Sequence, residues 1–290
     1  LRTDQIANLA SDDLRSLGTA AIRSLTTEQL NALTSDQVPL LTTTQVTALS
    51  TAQVAAMQTE DIQALSTDHA AVLSSAQVRA LTSDQVGALG TDDLAKLSTA
   101  AVRGFTSDQL GALSTDQVPA LSTQSVAALS SAQFVGLNTD DIQALGTDQA
   151  KVLNSAQLGG LGTEQVAAFA TDDFAQLSTN ALRGLGSAQI NALTTDQIVA
   201  FSSQQVASLT TQQVAGLRTD QIAALQTEDL RALGTAAIRS LSTEQVAALG
   251  TEQMSTLSSA QIAALATTPL NQVGAIGTED IKAMTTDQFR

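Results

Sequence analysis

The sequence contains no Cys, Trp or Tyr, a single His and six Phe. Without Cys there is no disulfide, no thiolate nucleophile and no Cys-ligated zinc, while the cellular compartment stays open. Basic residues are scarce: 13 Lys and Arg stand against 28 Asp and Glu, a net charge of −15, and they are scattered along the chain. Nucleic-acid binding needs clustered cations to neutralise phosphates, so it is not expected. Apolar runs extend over only a few residues, far below the roughly 20 needed to cross a bilayer, and no basic amphipathic stripe is present. Membrane insertion is therefore not expected. The chain opens on Leu1 within a repeat, with no initiator Met and no signal peptide, which suggests a piece of a longer or processed chain.

What is present is an eight-residue repeat, L-[STG]-T-[DEA]-Q-[VIL]-x-A. Position one recurs from Leu1 to Leu265 in 34 copies, all large and apolar, with Met57, Phe105, Phe169 and Phe201 replacing Leu. Position three is Ser or Thr from Thr3 to Thr267, and position six is apolar throughout, as in Ile6, Val38, Val118, Phe174 and Ile238. Two apolar columns and a hydroxyl column in such a short period mark an array in which one unit cannot bury its apolar face alone and its neighbours complete the core. The array runs continuously over residues 1–265, and over 266–290 the register breaks, with Pro269 in place of Gln and position one jumping from Leu265 to Ile276. The intervals from Asp13 to Asp93, from Asp93 to Asp173 and from Pro39 to Pro119 are equal, and each defines a superunit of ten octads. The later interval from Asp173 to Asp229 is only seven octads, so whole repeats have been gained or lost.

Each octad reads as one short helix. Position-three hydroxyls, such as Thr51, Thr115, Thr195 and Thr243, are expected as N-caps that accept from first-turn amides, with the acidic or small residue after them suiting the helix dipole. Leu49, Leu113, Leu193 and Leu241 are the expected core. A single continuous helix fails, because eight residues make about 2.2 turns and would carry the apolar pair around every face at roughly 80° per repeat. A β-solenoid is the rival, but positions five apart fall on opposite faces of a strand, and Ala, Gln, Glu and Asp are poor strand formers. The expected fold is an all-α solenoid, or superhelix, of short N-capped helices stabilised by stacking. Pro39 and Pro119, four residues past the presumed cap, call for very short or locally 3₁₀ helices there.

Gln fills position five in most octads, and its departures are ordered. Octads carrying Asp13, Asp93, Asp173 and Asp229 are each followed by one with Ala at position five and Arg at position seven, namely Arg23, Arg103, Arg183 and Arg239. One expectation is a ladder of Gln side chains from successive units, with each Asp–Arg couple replacing a Gln–Gln contact by an ion pair. Simple duplication is the alternative.

Little else suggests chemistry. His69 occupies a column where Gln149 stands one superunit later, and no catalytic triad can be assembled. The acidic pairs Asp12-Asp13, Asp92-Asp93, Asp140-Asp141 and Asp172-Asp173 lack the glycine-rich nonapeptide or EF-hand loop that calcium would require, so they read as first-turn charge. No catalytic residue, cofactor site or metal site is expected. Rows of Thr can also organise water against ice, provided the hydroxyls are exposed on a flat face rather than used as caps.

Units such as Leu49-Ser50-Thr51-Ala52-Gln53-Val54-Ala55-Ala56 and Leu241-Ser242-Thr243-Glu244-Gln245-Val246-Ala247-Ala248 resemble the A-L-T-T-x-Q-V repeats of very large, repetitive proteobacterial surface proteins, often labelled heme-utilisation or adhesion proteins. The resemblance covers nearly the whole chain and implies secretion and a stalk-like or surface role. It implies little about heme, since only His69 and three Met are available as iron ligands. The octad also resembles the opening helix of transcription activator-like effector repeats, without their longer unit or base-reading loop. The resulting expectation is a non-enzymatic structural protein, an extended spacer or self-assembling filament component, whose partner is another copy through end-to-end or lateral assembly. The alternatives are a solenoid module that binds peptide or glycan and, less favoured, an ice-binding array.

Overall fold

A computed structural model describes residues 1–265 and 271–289. These residues hold 32 α-helices of four to six residues and three 3₁₀ turns, and no strand. The fold is an all-α solenoid with a helix in nearly every octad. It comprises two compact units, Leu1–Leu145 and Gly146–Arg290, whose boundary falls inside the octad array and not at the register break. Pro269 lies outside the described residues.

Each octad alternates two extended residues with a helix. In the octad that begins at Leu49, Ser50 is extended (φ −71°, ψ 159°), the helix spans Thr51–Ala56, and Met57 returns to extended backbone (φ −60°, ψ 145°). The Met57 amide donates to the Val54 carbonyl at 3.2 Å, a 3₁₀-type bond that closes the last turn. Positions one and six are thereby held five residues apart on the inner side. Leu49, Leu113, Leu193 and Leu241 are all buried, as are Val54, Val118, Ile198 and Val246. Phe174 sits edge-on to Phe169 and Phe201, at 6.2 and 5.4 Å between ring centres.

Helices three octads apart lie against each other. In the first unit Ser75–Ala80 touches both Thr51–Ala56 and Thr99–Val102; in the second, Ser203–Ser208 touches both Thr179–Leu182 and Thr227–Ala232. Some of these approaches require glycine. A Cβ on Gly104 or Gly184 would collide with the backbone of Ser75 or Ser155, and one on Gly216 would stand 2.8 Å from the Ser187 Cβ. In each case the facing residue is Ser, which lacks the extra methyl of the Thr more common in that column.

The proline octads lose their regular helix. Pro39 lies in a 3₁₀ turn, Val38–Leu40, and around Pro119 no regular helix forms and the chain is held in turns, with Val118 bonded to Ser114 at 3.1 Å and Leu121 to Val118 at 3.2 Å. Proline supplies no amide and crowds the preceding turn, so the octad tightens while Val38 and Val118 stay buried.

Candidate functional site

The feature repeated along both units is built on the position-five glutamine. Gln213 shows it complete. Its backbone N–H donates to Thr210 Oγ1 at 3.2 Å, and its side-chain Oε1 accepts from the Thr210 N–H at 2.9 Å, which together form a reciprocal capping box. The Nε2 group then reaches out of its own octad and donates to the carbonyls of Leu182 at 2.7 Å and Leu185 at 2.8 Å. The first is the last carbonyl of the helix Thr179–Leu182, which also accepts from the Leu185 amide at 3.1 Å, and the second lies three residues beyond it on the extended stretch that follows. One amide thus closes the start of one helix and the end of another, 31 and 28 residues earlier in sequence. In the first unit Gln53 repeats the set, with Ser50 at 2.8 and 3.2 Å and with Ile22 and Leu25 both at 2.8 Å. Gln45, Gln77, Gln85, Gln197, Gln245 and Gln261 do the same in their turns. Because helices touch three octads away and the glutamine reaches a helix four octads back, each unit returns on itself after between three and four octads.

This geometry corrects three expectations. The N-caps are not the position-three hydroxyls: Thr51, Thr195 and Thr243 are the first helical residues, and Ser50, Thr194 and Ser242 cap them. In the octad of Thr115 it is likewise Ser114 whose hydroxyl accepts, from the Gln117 amide at 3.3 Å. The reason is conformational: position two is extended and its carbonyl opens the helix, so its side chain faces the N3 amide. Second, the glutamines do not stack on one another, because both ends of each amide are taken by backbone. Third, the Asp–Arg couples are not ion pairs. The ion pairs among the described residues are Arg2–Asp4, Lys151–Asp148, Arg218–Asp220 and Lys282–Glu279. Asp13 and Arg23 are both exposed and unjoined, whereas Asp93, Asp173 and Asp229 are buried at helix starts and Arg103, Arg183 and Arg239 are exposed. Arg23 and Arg239 instead donate Nε to the Ala48 and Ala264 carbonyls, both at 3.4 Å. Duplication accounts for the recurrence every ten octads without any contact.

The substitutes at position five follow from length and charge. His69 is an imidazole version of the clamp: Nδ1 accepts from the Ser66 amide at 3.3 Å while Nε2–H donates to the Leu41 carbonyl at 2.7 Å. This fixes the neutral Nε2–H tautomer and leaves the ring 2% exposed. Aspartate keeps the inner half alone. Asp93 Oδ2 accepts from the Gly90 amide at 3.2 Å and Asp141 Oδ2 from Asn138 at 2.9 Å, but a carboxylate so short reaches no distant carbonyl and has no proton to give. Burial raises the Asp61, Asp93, Asp141 and Asp173 carboxyls above the ordinary aspartate value, and the adjacent acids Glu60, Asp92, Asp140 and Asp172 push the same way. Glu appears at position five in none of the octads from Gln5 to Gln261, although Glu and Gln have the same shape. A glutamate there would aim carboxylate oxygens at carbonyl oxygens.

The ALTTAQ repeat family matches residues 6–43, 54–91, 86–123, 137–171, 166–203, 198–227 and 222–259, well over half of the sequence. The chain belongs to the ALTTAQ repeat family. The window 6–43 contains Gln37 together with the Ile6 and Leu9 carbonyls that it bonds, and 54–91 contains Gln85 with Val54 and Met57. Windows 166–203 and 222–259 likewise enclose Gln197 and Gln253 with their acceptors. The ALTTAQ unit is in these instances just long enough to contain one clamp. No curated protein matches the chain. Among the described residues, no group of three or more His, Asp or Glu could hold a metal ion, and no helix is long and apolar enough to cross a membrane.

Proposed function

We propose that this ALTTAQ-repeat chain is a structural protein without catalytic activity, an extended spacer or self-assembling filament component of a bacterial secreted or cell-surface adhesion protein. The clamp carries this reading. Most octads bring their own cap, their pair of core side chains and one amide that ties them to a helix about one turn earlier, so adding or removing whole octads changes length and no chemistry. The interval of seven octads in place of ten, from Asp173 to Asp229, is such a change. Every stretch of octads also offers the same donors and acceptors, which makes a second copy a chemically matched partner for non-closing assembly. The surface location rests on the resemblance to repetitive proteobacterial surface proteins, and nucleic acid remains an unfavoured partner for a chain of net charge −15.

Electron microscopy of the purified chain over a concentration series tests the proposal. Filaments that lengthen with concentration identify assembly as the role, and discrete rods at every concentration identify a monomeric spacer. Compact, isometric particles would overturn both. An ice-binding array gains one observation, since the position-three hydroxyls are not used as caps and Thr51 and Thr115 are exposed. Absence of thermal hysteresis in solution would remove that reading.

A further inference from the structure

Several arginines of the chain are held by a neighbour. Arg2 and Arg218 pair with Asp4 and Asp220, and Arg15, Arg23 and Arg239 donate to the carbonyls of Leu40, Ala48 and Ala264. Arg79 and Arg103 differ in arrangement. They stand three octads apart, a spacing that no other two arginines of the sequence share. Three octads is the interval at which helices lie side by side: Arg79 belongs to Ser75–Ala80, Arg103 follows Thr99–Val102, and those two helices are in contact. Gly104, seated on the Ser75 backbone, draws them together at this point. Both guanidinium groups are exposed, and neither takes part in an ion pair among the described residues.

Two adjoining surface concavities, of about 470 and 550 Å³, are each lined by both Arg79 and Arg103. Hydroxyl groups from Ser75, Thr106, Ser107 and Ser130 and the Gln133 amide make up the rest of the polar walls, with Ser107 donating to Asp108 at 3.5 Å and Ser130 to Gln133 Oε1 at 2.9 Å; no Asp or Glu belongs to either lining itself. In a chain where acids outnumber bases by 28 to 13, this is a local reversal of sign. Two like charges on neighbouring helices without a counter-ion repel each other, and an anion between them removes the repulsion. Guanidinium groups present planar forks of N–H donors matched to the oxygens of phosphate and sulfate. The volumes fall in the range of small-ligand sites, about 300–1,000 Å³.

We propose that Arg79 and Arg103 form a binding site for a tetrahedral oxyanion, a phosphate or sulfate monoester carried on a small molecule, with the Ser75 and Thr106 hydroxyls as additional donors. The field of the whole chain, net −15, opposes a polyanion and leaves a compact ligand with one such group as the occupant. The same headgroup chemistry is offered by a soluble sugar phosphate and by a phosphomonoester lipid, and the experiment separates them.

The full chain is titrated calorimetrically, at low ionic strength and in phosphate-free buffer, with inorganic phosphate and with glucose 6-phosphate. In parallel it is floated with phosphatidylcholine vesicles containing or lacking phosphatidic acid. Saturable binding is expected, weakened about tenfold or more by Arg79→Gln and by Arg103→Gln and abolished in the double variant. Arg23→Gln, whose side chain serves the Ala48 carbonyl, leaves it unchanged. Since both arginines are exposed and outside the clamp, the double variant keeps the far-UV circular dichroism of the parent. Binding confined to phosphatidic acid vesicles and lost in the double variant supports the site with a lipid headgroup as source. Absence of saturable binding to every probe overturns the proposal, as does equal affinity in the double variant.

Discussion

Replacing Gln213 by Glu changes almost nothing in shape and reverses half of the clamp. The carboxylate can still accept from the Thr210 amide, 2.9 Å from Oε1 in the native chain. The other oxygen takes the place of Nε2, 2.7 and 2.8 Å from the Leu182 and Leu185 carbonyl oxygens. The Leu185 carbonyl loses its donor at about 1–3 kcal/mol while the Leu182 carbonyl keeps the Leu185 amide at 3.1 Å, and the like partial charges add to this. Gln213→Asp loses the same donors, but the shorter side chain withdraws, keeps the cap bond as Asp93 and Asp141 do, and leaves room for a water to serve the carbonyls. Glutamate is therefore expected to be worse than aspartate by about 1 kcal/mol or more, the reverse of the order that side-chain size would give. Denaturant unfolding followed by circular dichroism at neutral pH measures both variants. Repeating it under mildly acidic conditions supplies a signature: once protonated, the introduced carboxyl regains an O–H donor, so Gln213→Glu recovers stability on acidification while Gln213→Met does not. A Gln213→Glu chain as stable as the parent at neutral pH, or more stable than Gln213→Asp, would refute the clamp.

Three further outcomes follow from the same geometry. His69→Gln restores the column's usual amide and should leave thermal stability within about 1 kcal/mol of the parent, whereas His69→Ala strands the Leu41 carbonyl and should cost about 2–3 kcal/mol; differential scanning calorimetry separates them. The raised carboxyls of Asp61, Asp93, Asp141 and Asp173 mean that the folded chain binds protons more tightly than the unfolded one, so their contribution is fully present below the ordinary aspartate value and is lost as pH rises through the raised values. Denaturation midpoints should rise as pH falls from neutral toward the ordinary aspartate value, and changing all four to Gln should flatten this part of the profile. An unchanged slope in that variant would count against burial as the cause. Gly184→Ala forces a Cβ into the Ser155 backbone and should destabilise by about 1–3 kcal/mol, while Gly146→Ser, where a Cβ meets nothing within 4 Å, should add a cap and stabilise by a few tenths of a kcal/mol. Equal effects at the two glycines in thermal melts would contradict the close approach.

The sequence alone determined the period, the helical class and the two core columns, because these depend on spacing within a single octad. Leu49, on the extended stretch before the helix, and Val54, within the helix Thr51–Ala56, both turn inward, and no continuous helix or strand can bring the two columns together in every octad. The cap position was also legible. A Ser or Thr followed three residues later by Gln is a capping box, which puts the cap at Ser50 and not Thr51, but two adjacent hydroxyl columns obscured it. What Gln213 does beyond its own octad was not legible. Its acceptors lie 28 and 31 residues away, a distance that becomes a contact only once core packing fixes between three and four octads per turn. The Asp–Arg coincidence failed for the same reason: position five turns inward beneath the helix start, whereas position seven faces solvent and serves carbonyls 25 residues ahead, as Arg23 does. Local periodicity decides which side chains point inward, and only the closure of successive turns decides what they meet there.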